Sequence, residues 1–398
     1  MKKLATLFLL MCFCISLRAQ TVVYLNLGSH SESGATDLDY STTINYTNFY
    51  TLTKRLADSV NSKHAKWNFQ NDYKFLKGCI NHDPHAAATG GYNLVYWMNK
   101  SQYIEADPHC HEGLYNWADI AKLHDSLGCT NRKVVGGIDP YSYRWVQMET
   151  GINGNFFPTY NWQPDILWGF ASPGHGFNDQ TYGIWRPQDT ANIYTDAPAN
   201  HLRHIGSGCS NVVFAGSTVT GVMDTLRQIL NKLQAGTAPS TGFYTATIMM
   251  NMRDFNTAFV TKIATIIDSI KPYVTAGKVK WATLQEKDSI WAATYASTAF
   301  EWDCSQTLAT GINENADVSS VSIYPNPAND ALTIKLDAAK NEKTIVSIYD
   351  MLGKELKNVE IGNSDQTIIN TSDLKPGMYL CKILSGTNQQ SRLLSIVH

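Results

Sequence analysis

Apolar and polar positions change period repeatedly along the chain, and each change predicts an element. Residues 21–27 form a β-rich run that ends at Gly28-Ser29-His30. Phe49, Leu52, Leu56 and Val60 then recur at helical spacing. A β-like segment at 73–80 precedes 91–98, and a strand at 103–107 leads into Pro108-His109-Cys110-His111-Glu112. Asn116 reads as an N-cap for a helix holding Trp117, Ile120, Leu123 and Leu127, with Gly128 as its stop. Strands follow at 133–138, 165–171 and 211–215. Next come a helix with Val222, Leu226, Ile229 and Leu233 before Gly236, and a strand at 244–249. A helix with Phe259, Ile263, Ile266 and Ile270 stops at Pro272, and a last strand covers 279–284.

Strands alternating with helices predict an α/β domain over 20–306, either an open doubly wound sheet or a parallel barrel. The chain carries neither a GxGxxG turn nor a Walker loop, so the expectation is a (β/α) barrel, complete or an incomplete seven-stranded one. The pattern breaks at 307–320, which is rich in Asn, Ala and Ser and reads as a linker. Beyond it, short alternating segments at 321–324, 331–336, 344–349, 366–370, 378–384 and 392–397 predict six strands of a small β-sandwich occupying 321–398.

Residues 1–19 carry Lys2 and Lys3, a short apolar run and Ala19 before Gln20, the pattern of a secretory signal peptide. Its apolar run is too short for a transmembrane helix, and no later run is long enough. Cleavage after Ala19 removes three basic residues and no acid, so the net charge moves from −2 to −5. With 17% charged and 11% aromatic residues, the chain is charge-poor and aromatic-rich, which argues against nucleic acid and for a neutral, ring-shaped ligand such as a glycan. Cys12 and Cys14 leave with the signal peptide. The six remaining cysteines allow 15 pairings, which an exported protein is free to form.

In a parallel α/β fold, functional groups collect at the carboxyl ends of the strands. His30 and Glu32 follow the first strand, His109, His111 and Glu112 the third, and Gln285-Glu286 the last. Side chains two apart in an extended segment share a face, so His109 and His111 can converge on one ion while Cys110 turns away. His30, His109 and His111 are therefore candidate ligands of a divalent metal, zinc by donor preference, with Glu32 or Glu112 as base or fourth ligand. Such an ion activates water and polarises a carbonyl. Arg186 is a candidate for orienting a carboxylate, and His175, in Pro173-Gly174-His175-Gly176, for an acid or lid residue. His82, Asp83 and His85 read as a polar turn, and His201 with His204 as one face of a helix end.

Two resemblances add to this reading. Tyr324-Pro325-Asn326-Pro327, Asp330, Leu332 and Ile334, then Ile348-Tyr349-Asp350 with Gly353-Lys354, then Leu374, Gly377 and Tyr379, resemble the C-terminal sorting domain of the bacterial type IX secretion system. That resemblance implies Sec export, passage across the outer membrane of a Bacteroidetes-type cell by the type IX machinery, and release or anchoring on lipopolysaccharide. The central domain is similar to the polysaccharide deacetylase and glycoside hydrolase/deacetylase barrels in Leu27-Gly28-Ser29-His30-Ser31-Glu32, the later histidine pair and Tyr182-Gly183-Ile184-Trp185-Arg186-Pro187. The family's paired aspartates are absent, with His30 and Glu32 in their neighbourhood. The expectation is an exported metal-dependent hydrolase acting on carbohydrate. Its alternatives are a metal-free glycosidase using Glu112 and Glu286, and a non-catalytic glycan-binding adhesin.

Overall fold

A computed structural model describes residues 21–31, 39–110, 114–130, 133–136, 142–168, 180–209, 212–308, 321–336, 344–350, 353–361, 364, 366–385 and 388–397. The signal-peptide reading for 1–19 and most of the linker reading for 307–320 lie outside the described residues. The chain divides into two compact units, 1–308 and 309–398.

Unit 1 opens with β1 (Val23–Ser31), buried along its whole length, and α1 (Thr43–Lys63), which buries Tyr46, Phe49, Thr53, Leu56 and Val60 on one face. The next strand, β2 (Trp67–Asn71), lies earlier than the β-like segment read at 73–80, and that segment is instead α2 (Tyr73–His82). The local reason is Asp72, whose carboxylate accepts from the Phe75 N–H at 2.9 Å and caps the helix. Phe75, Leu76 and Cys79 then bury a helical stripe that overrides the β preference of the aromatic residues.

The chain continues through α3 (Leu94–Asn99), β3 (Ile104–Pro108) and α4 (Trp117–Ser126), whose N-terminus is closed by a reciprocal Asn116–Asp119 capping box. After β4 (Val134–Gly136), α5 (Ser142–Thr150) and the small hairpin β5 (Ile152–Asn153) and β6 (Asn161–Trp162) come β7 (Ile166–Trp168), β8 (Thr181–Trp185) and β9 (Arg203–Ile205). His204 is therefore a buried strand residue rather than one side of a helix end. The last helices are α6 (Val219–Ala235), α7 (Thr257–Thr275) and α8 (Leu284–Thr294), separated by β10 (Tyr244–Met250) and β11 (Val279–Trp281). β12 (Phe300–Asp303) closes the unit. α7 does not stop at Pro272 but runs three residues past it. Pro272 sits in the final turn, where one lost donor is tolerated, and its own carbonyl still accepts from Ala276 at 3.0 Å.

β10, β1, β2 and β3 form one parallel sheet in that order, and β11 pairs with only the first three residues of β1. A second sheet runs β12-β8-β9-β7-β4, parallel from β9 to β4 and antiparallel at β8 and β12. A parallel bridge between His109 and Gly136 joins β3 to β4, and the Thr247 N–H donates to Ser207 O at 3.0 Å, which ties the segment after β9 to β10. Alternation along β1 sends Val23, Leu25 and Leu27 into the large cluster under the helices. Tyr24 faces the other way, into a cluster with Val134, Ile166, Trp168, Ile184, Ile205, Leu284 and Trp291.

Unit 2 holds two antiparallel sheets of seven strands among the described residues. β13 (Val321–Tyr324), β14 (Ala331–Leu336) and β17 (Gln366–Asn370) form one sheet. β16 (Glu355–Ile361), β15 (Thr344–Tyr349), β18 (Gly377–Ser385) and β19 (Asn388–Ile396) form the other. The strand absent from the sequence reading is β16, an edge strand that exposes Glu355, Leu356, Asn358 and Glu360 and carries little apolar alternation. Leu332, Ile334, Val346, Ile348, Ile369, Cys381, Leu394 and Ile396 make the unit's core.

Of the 15 possible pairings one disulfide is present among the described residues, Cys209–Cys304, with Cα atoms 5.5 Å apart and 95 residues between them in sequence. It fastens β12 and the end of unit 1 to the segment after β9. A loop of that length places the chain-entropy contribution at roughly 4–5 kcal/mol. Replacing both cysteines with serine is expected to lower the denaturant midpoint by a matching amount and to abolish the sensitivity of the wild-type midpoint to dithiothreitol. Unchanged melting in the variant would show the bridge to be without effect.

Candidate functional site

The register of the parallel strands brings chemistry to their carboxyl ends. His30, next to last in β1, pairs in register with Gln70 of β2, which pairs with Asp107 of β3. His109 follows β3 directly and bridges to Gly136, whose partner on β7 is Trp168. The imidazoles of His30 and His109 stack with ring centroids 3.8 Å apart and planes 24° from parallel. The His30 ring also meets Trp168 edge-on at 5.7 Å. Both histidines are buried.

His109 is oriented from two sides. Its backbone N–H donates to Asn71 O at 2.9 Å, and its ring Nδ1 lies 3.0 Å from the Gly136 carbonyl. A carbonyl can only accept, so Nδ1 carries the proton and Nε2 keeps the lone pair in the neutral ring. That tautomer suits a metal ligand or a general base.

Of the site residues read from sequence, the structure thus brings His30 and His109 together. Glu32, His111, Glu112 and His175 lie outside the described residues. Among the described residues no group of three His, Cys, Asp or Glu side chains is placed to hold a metal ion. Arg186 is engaged by other elements: its N–H donates to Asp196 at 2.8 Å and its guanidinium lies 4.7 Å from the centre of the Trp291 ring. Gln285 and Glu286 do not stand at the carboxyl ends. β11 leaves the sheet beside the start of β1, and Thr283 and Glu286 form the capping box of α8. The Glu286 carboxylate also takes the Lys66 ammonium at 2.7 Å, just before β2 begins. Position and partners both separate it from the histidine pair. Asp83 receives Tyr46 Oη and the N–H groups of His85 and Leu94, so the 82–85 cluster is a hydrogen-bonded turn.

The sequence reading missed a column of polar side chains on the same interior face. Asn68 donates to Asp107 at 2.7 Å and to Glu105 at 3.3 Å. Glu105 accepts from the N–H groups of Leu284 and Gln285, each at 3.1 Å. Lys287, fully buried, reaches from α8 to Asn26 Oδ1 and to Ala246 O at 2.9 Å, and Asn26 also accepts from Thr247 at 2.9 Å. Polar residues two apart in buried strands, Asn68 with Gln70 and Glu105 with Asp107 and His109, are the sequence signal that marks this face.

Residues 322–397 match the family model of the secretion system C-terminal sorting domain. The C-terminal unit is a type IX sorting domain. The protein is therefore a type IX cargo, secreted or held at the surface of a Bacteroidetes cell, with the secretion machinery as a partner. No helix among the described residues is long and apolar enough to cross a membrane. An endo-acting ulvan lyase of Formosa agariphila is 31% identical over 90 residues, 22% of this chain and 17% of that protein. An ulvan lyase of Nonlabens ulvanivorans is 31% identical over 83 residues, 20% of this chain and 15% of that protein. The chain thus spans less than a fifth of the length of these curated relatives, and the shared length is about that of the sorting unit.

Among solved structures, a Bacteroides vulgatus protein with an immunoglobulin-like β-sandwich fold is 18% identical, covering 19% of this chain and 82% of its own, at a TM-score of 0.17. An engineered protein is 10% identical over 96% of this chain and 94% of its own, at a TM-score of 0.21. At these scores neither likeness fixes a fold.

Burial sets the titration of two groups near the site. The Lys287 amine is pushed down from 10.5 to about 7 by desolvation, partly opposed by Glu105. Burial likewise lowers His204, packed on Trp185, to about 3 and keeps it neutral. Between pH 7 and 10.5 the unfolded chain holds a proton on Lys287 that the folded chain has released, so stability rises with pH across that window. Denaturant midpoints measured at pH 7, 8 and 9 are expected to climb in the wild type and to flatten in Lys287→Met. An equally steep climb in the variant would assign the titration to another group.

Proposed function

We propose that this type IX cargo is a carbohydrate-active enzyme, a metal-dependent hydrolase whose chemistry centres on His30 and His109 in an irregular (β/α) barrel. Support for the barrel comes from the parallel order β10-β1-β2-β3, continued through the His109–Gly136 bridge to β4, β7 and β9 and returned to β10 through Ser207 and Thr247. The observation that carries the site is the stacked imidazole pair at the strand ends, with the His109 tautomer set by the Gly136 carbonyl. Two imidazoles in contact on adjoining parts of one interior face would supply two of the three protein donors that a catalytic zinc-type site requires, with the rings turned out of the stack so that both lone pairs meet the ion.

His30 and His109 would hold the divalent ion, and His111, Glu32 or Glu112 would complete the set. Bound there, the ion supplies an activated water and polarises an acyl carbonyl, the chemistry of carbohydrate deacetylation. The protein's own part is to orient the two rings, to exclude bulk water around them and to keep the Nε2 lone pair of His109 directed away from Gly136. The glycan class is supported by the aromatic, charge-poor composition and by relatives that are named as ulvan lyases, which share a segment the length of the export unit. Release or retention on lipopolysaccharide belongs to the same proposal.

A second reading, imidazole base catalysis without metal, is favoured by the fixed His109 tautomer alone. Elemental analysis of the mature protein, beside assays on acetylated glycans with and without chelator, separates the two. The expected result is a near-stoichiometric divalent ion, its loss in a His30→Ala, His109→Ala double variant, and a fall in acetate release of about 100-fold or more. Activity that survives chelation but not the double substitution would transfer the assignment to base catalysis. Activity that survives both would remove these histidines from the site.

A further inference from the structure

The interior polar face contains two kinds of side chain. Those nearer the amino ends of the strands are mutually bonded, as Asn26, Thr247 and Lys287 are. Gln70 differs. Its carboxamide is fully buried, yet among the described residues neither Oε1 nor Nε2 has a hydrogen-bond partner. Trp168, 1% exposed, likewise has no partner for its indole Nε1 among the described residues. Native interiors pair nearly all such groups, so two orphans that both border Gly136, one filling its side-chain space and the other in register with it, call for an explanation.

Two glycines make room for them. The Gln70 carboxamide fills the space that a Cβ on Gly136 would need, and the Trp168 ring comes within 2.8 Å of where a Cβ on Gly28 would stand. Gly136 is the residue whose carbonyl orients His109, and Trp168 is its register partner and touches His30. Gln70 is in turn the register partner of His30. The orphan donors therefore ring the histidine pair.

We propose that Gln70 and Trp168 are the substrate-reading residues of this site, and that they receive a planar carboxyl-type group of the glycan between them. Gln70 brings two N–H donors and one carbonyl acceptor and Trp168 one N–H, so together they offer three donors to one acceptor. That set fits a ligand rich in acceptor oxygens, and the donors are neutral, so an uncharged acyl carbonyl and a uronate carboxylate share the required chemistry. The inference rests on the site reading above, but its test needs neither metal nor turnover.

The test follows the Gln70 side-chain amide and the Trp168 indole N–H by ¹⁵N-correlated NMR of the mature protein, with assignment from Gln70→Met and Trp168→Phe. Sodium acetate serves as the carboxylate probe and methyl acetate as the ester probe. Both resonances are expected to move together and saturate in the millimolar range proper to so small a fragment. Stronger response to methyl acetate assigns the site to acyl esters, and to acetate, to uronates. Gln70→Met is expected to weaken the Trp168 response at least tenfold and, by removing an unpaired amide, to raise the melting temperature by about 2–4 °C. A drop in melting temperature in Gln70→Met would show the amide to be satisfied in the fold, and would overturn the proposal. So would the absence of any shift with both probes. The same titration on the His30→Ala, His109→Ala protein distinguishes the two ideas, since a retained response there with no catalysis would leave the reading residues standing alone.

Discussion

The carboxylate of Glu105 is the contact on which the arrangement of unit 1 turns. It lies on the interior face of β3 and is nearly buried, a position that water cannot compensate. It is compensated instead by the first two N–H groups of α8 and by the Asn68 amide, and its charge in turn partly opposes the loss of the proton from the buried Lys287 amine. Each of those partners is fixed in return. α8 is tied to the level of the sheet where Lys287 can reach Asn26 and β10, and its far end places Trp291 under Arg186. Removing this one charge would leave the start of α8 without its acceptor, take one acceptor from the Asn68 amide and lower the Lys287 amine further, so the seating of α8 on β2 and β3 depends on a single side chain.

The same contact separates structure from chemistry along the strand axis. Register places Glu105 level with Asn68 and Gly28, and one step further on places Asp107 level with Gln70 and His30. Bonded polar groups at the lower level hold the strands together. The level above presents the imidazoles, Asp107 and the Gln70 amide over Gly136, and the Trp168 indole reaches down to fill the space beside Gly28.

Much of this was legible in the sequence, for reasons that differ by element. α1 announces itself by spacing and α4 and α6 by spacing and caps, and His30 and His109 lie at the carboxyl ends of β1 and β3, where strand direction alone puts them. The 73–80 segment misled because Tyr73, Phe75 and Ile80 favour strands singly, while a single carboxylate at Asp72 decides for the helix. Glu286 misled for a topological reason: a strand as short as β11 does not carry its end to the level where the histidines stand. β16 was missed because an edge strand of the sorting unit needs little apolar pattern to pair. The Asn68-x-Gln70 alternation marks the polar face in the sequence, but nothing local shows that Gln70 is unpaired there, since its carboxamide fills the place of a side chain missing from a glycine on another strand.

That contrast bears on why the upper level carries function. Buried amides are cheap to replace with methionine or leucine of similar volume, and a sequence under pressure for stability alone would lose an unpaired one readily. Asn26 and Asn68 resist such loss because each holds a partner that would itself be orphaned. Gln70 and Trp168 hold none among the described residues, and yet they sit where two glycines have given up their side chains to admit them. A stability argument explains Asn26 and Asn68 and fails for Gln70 and Trp168. The difference is accounted for if the upper level is completed by a ligand rather than by the chain.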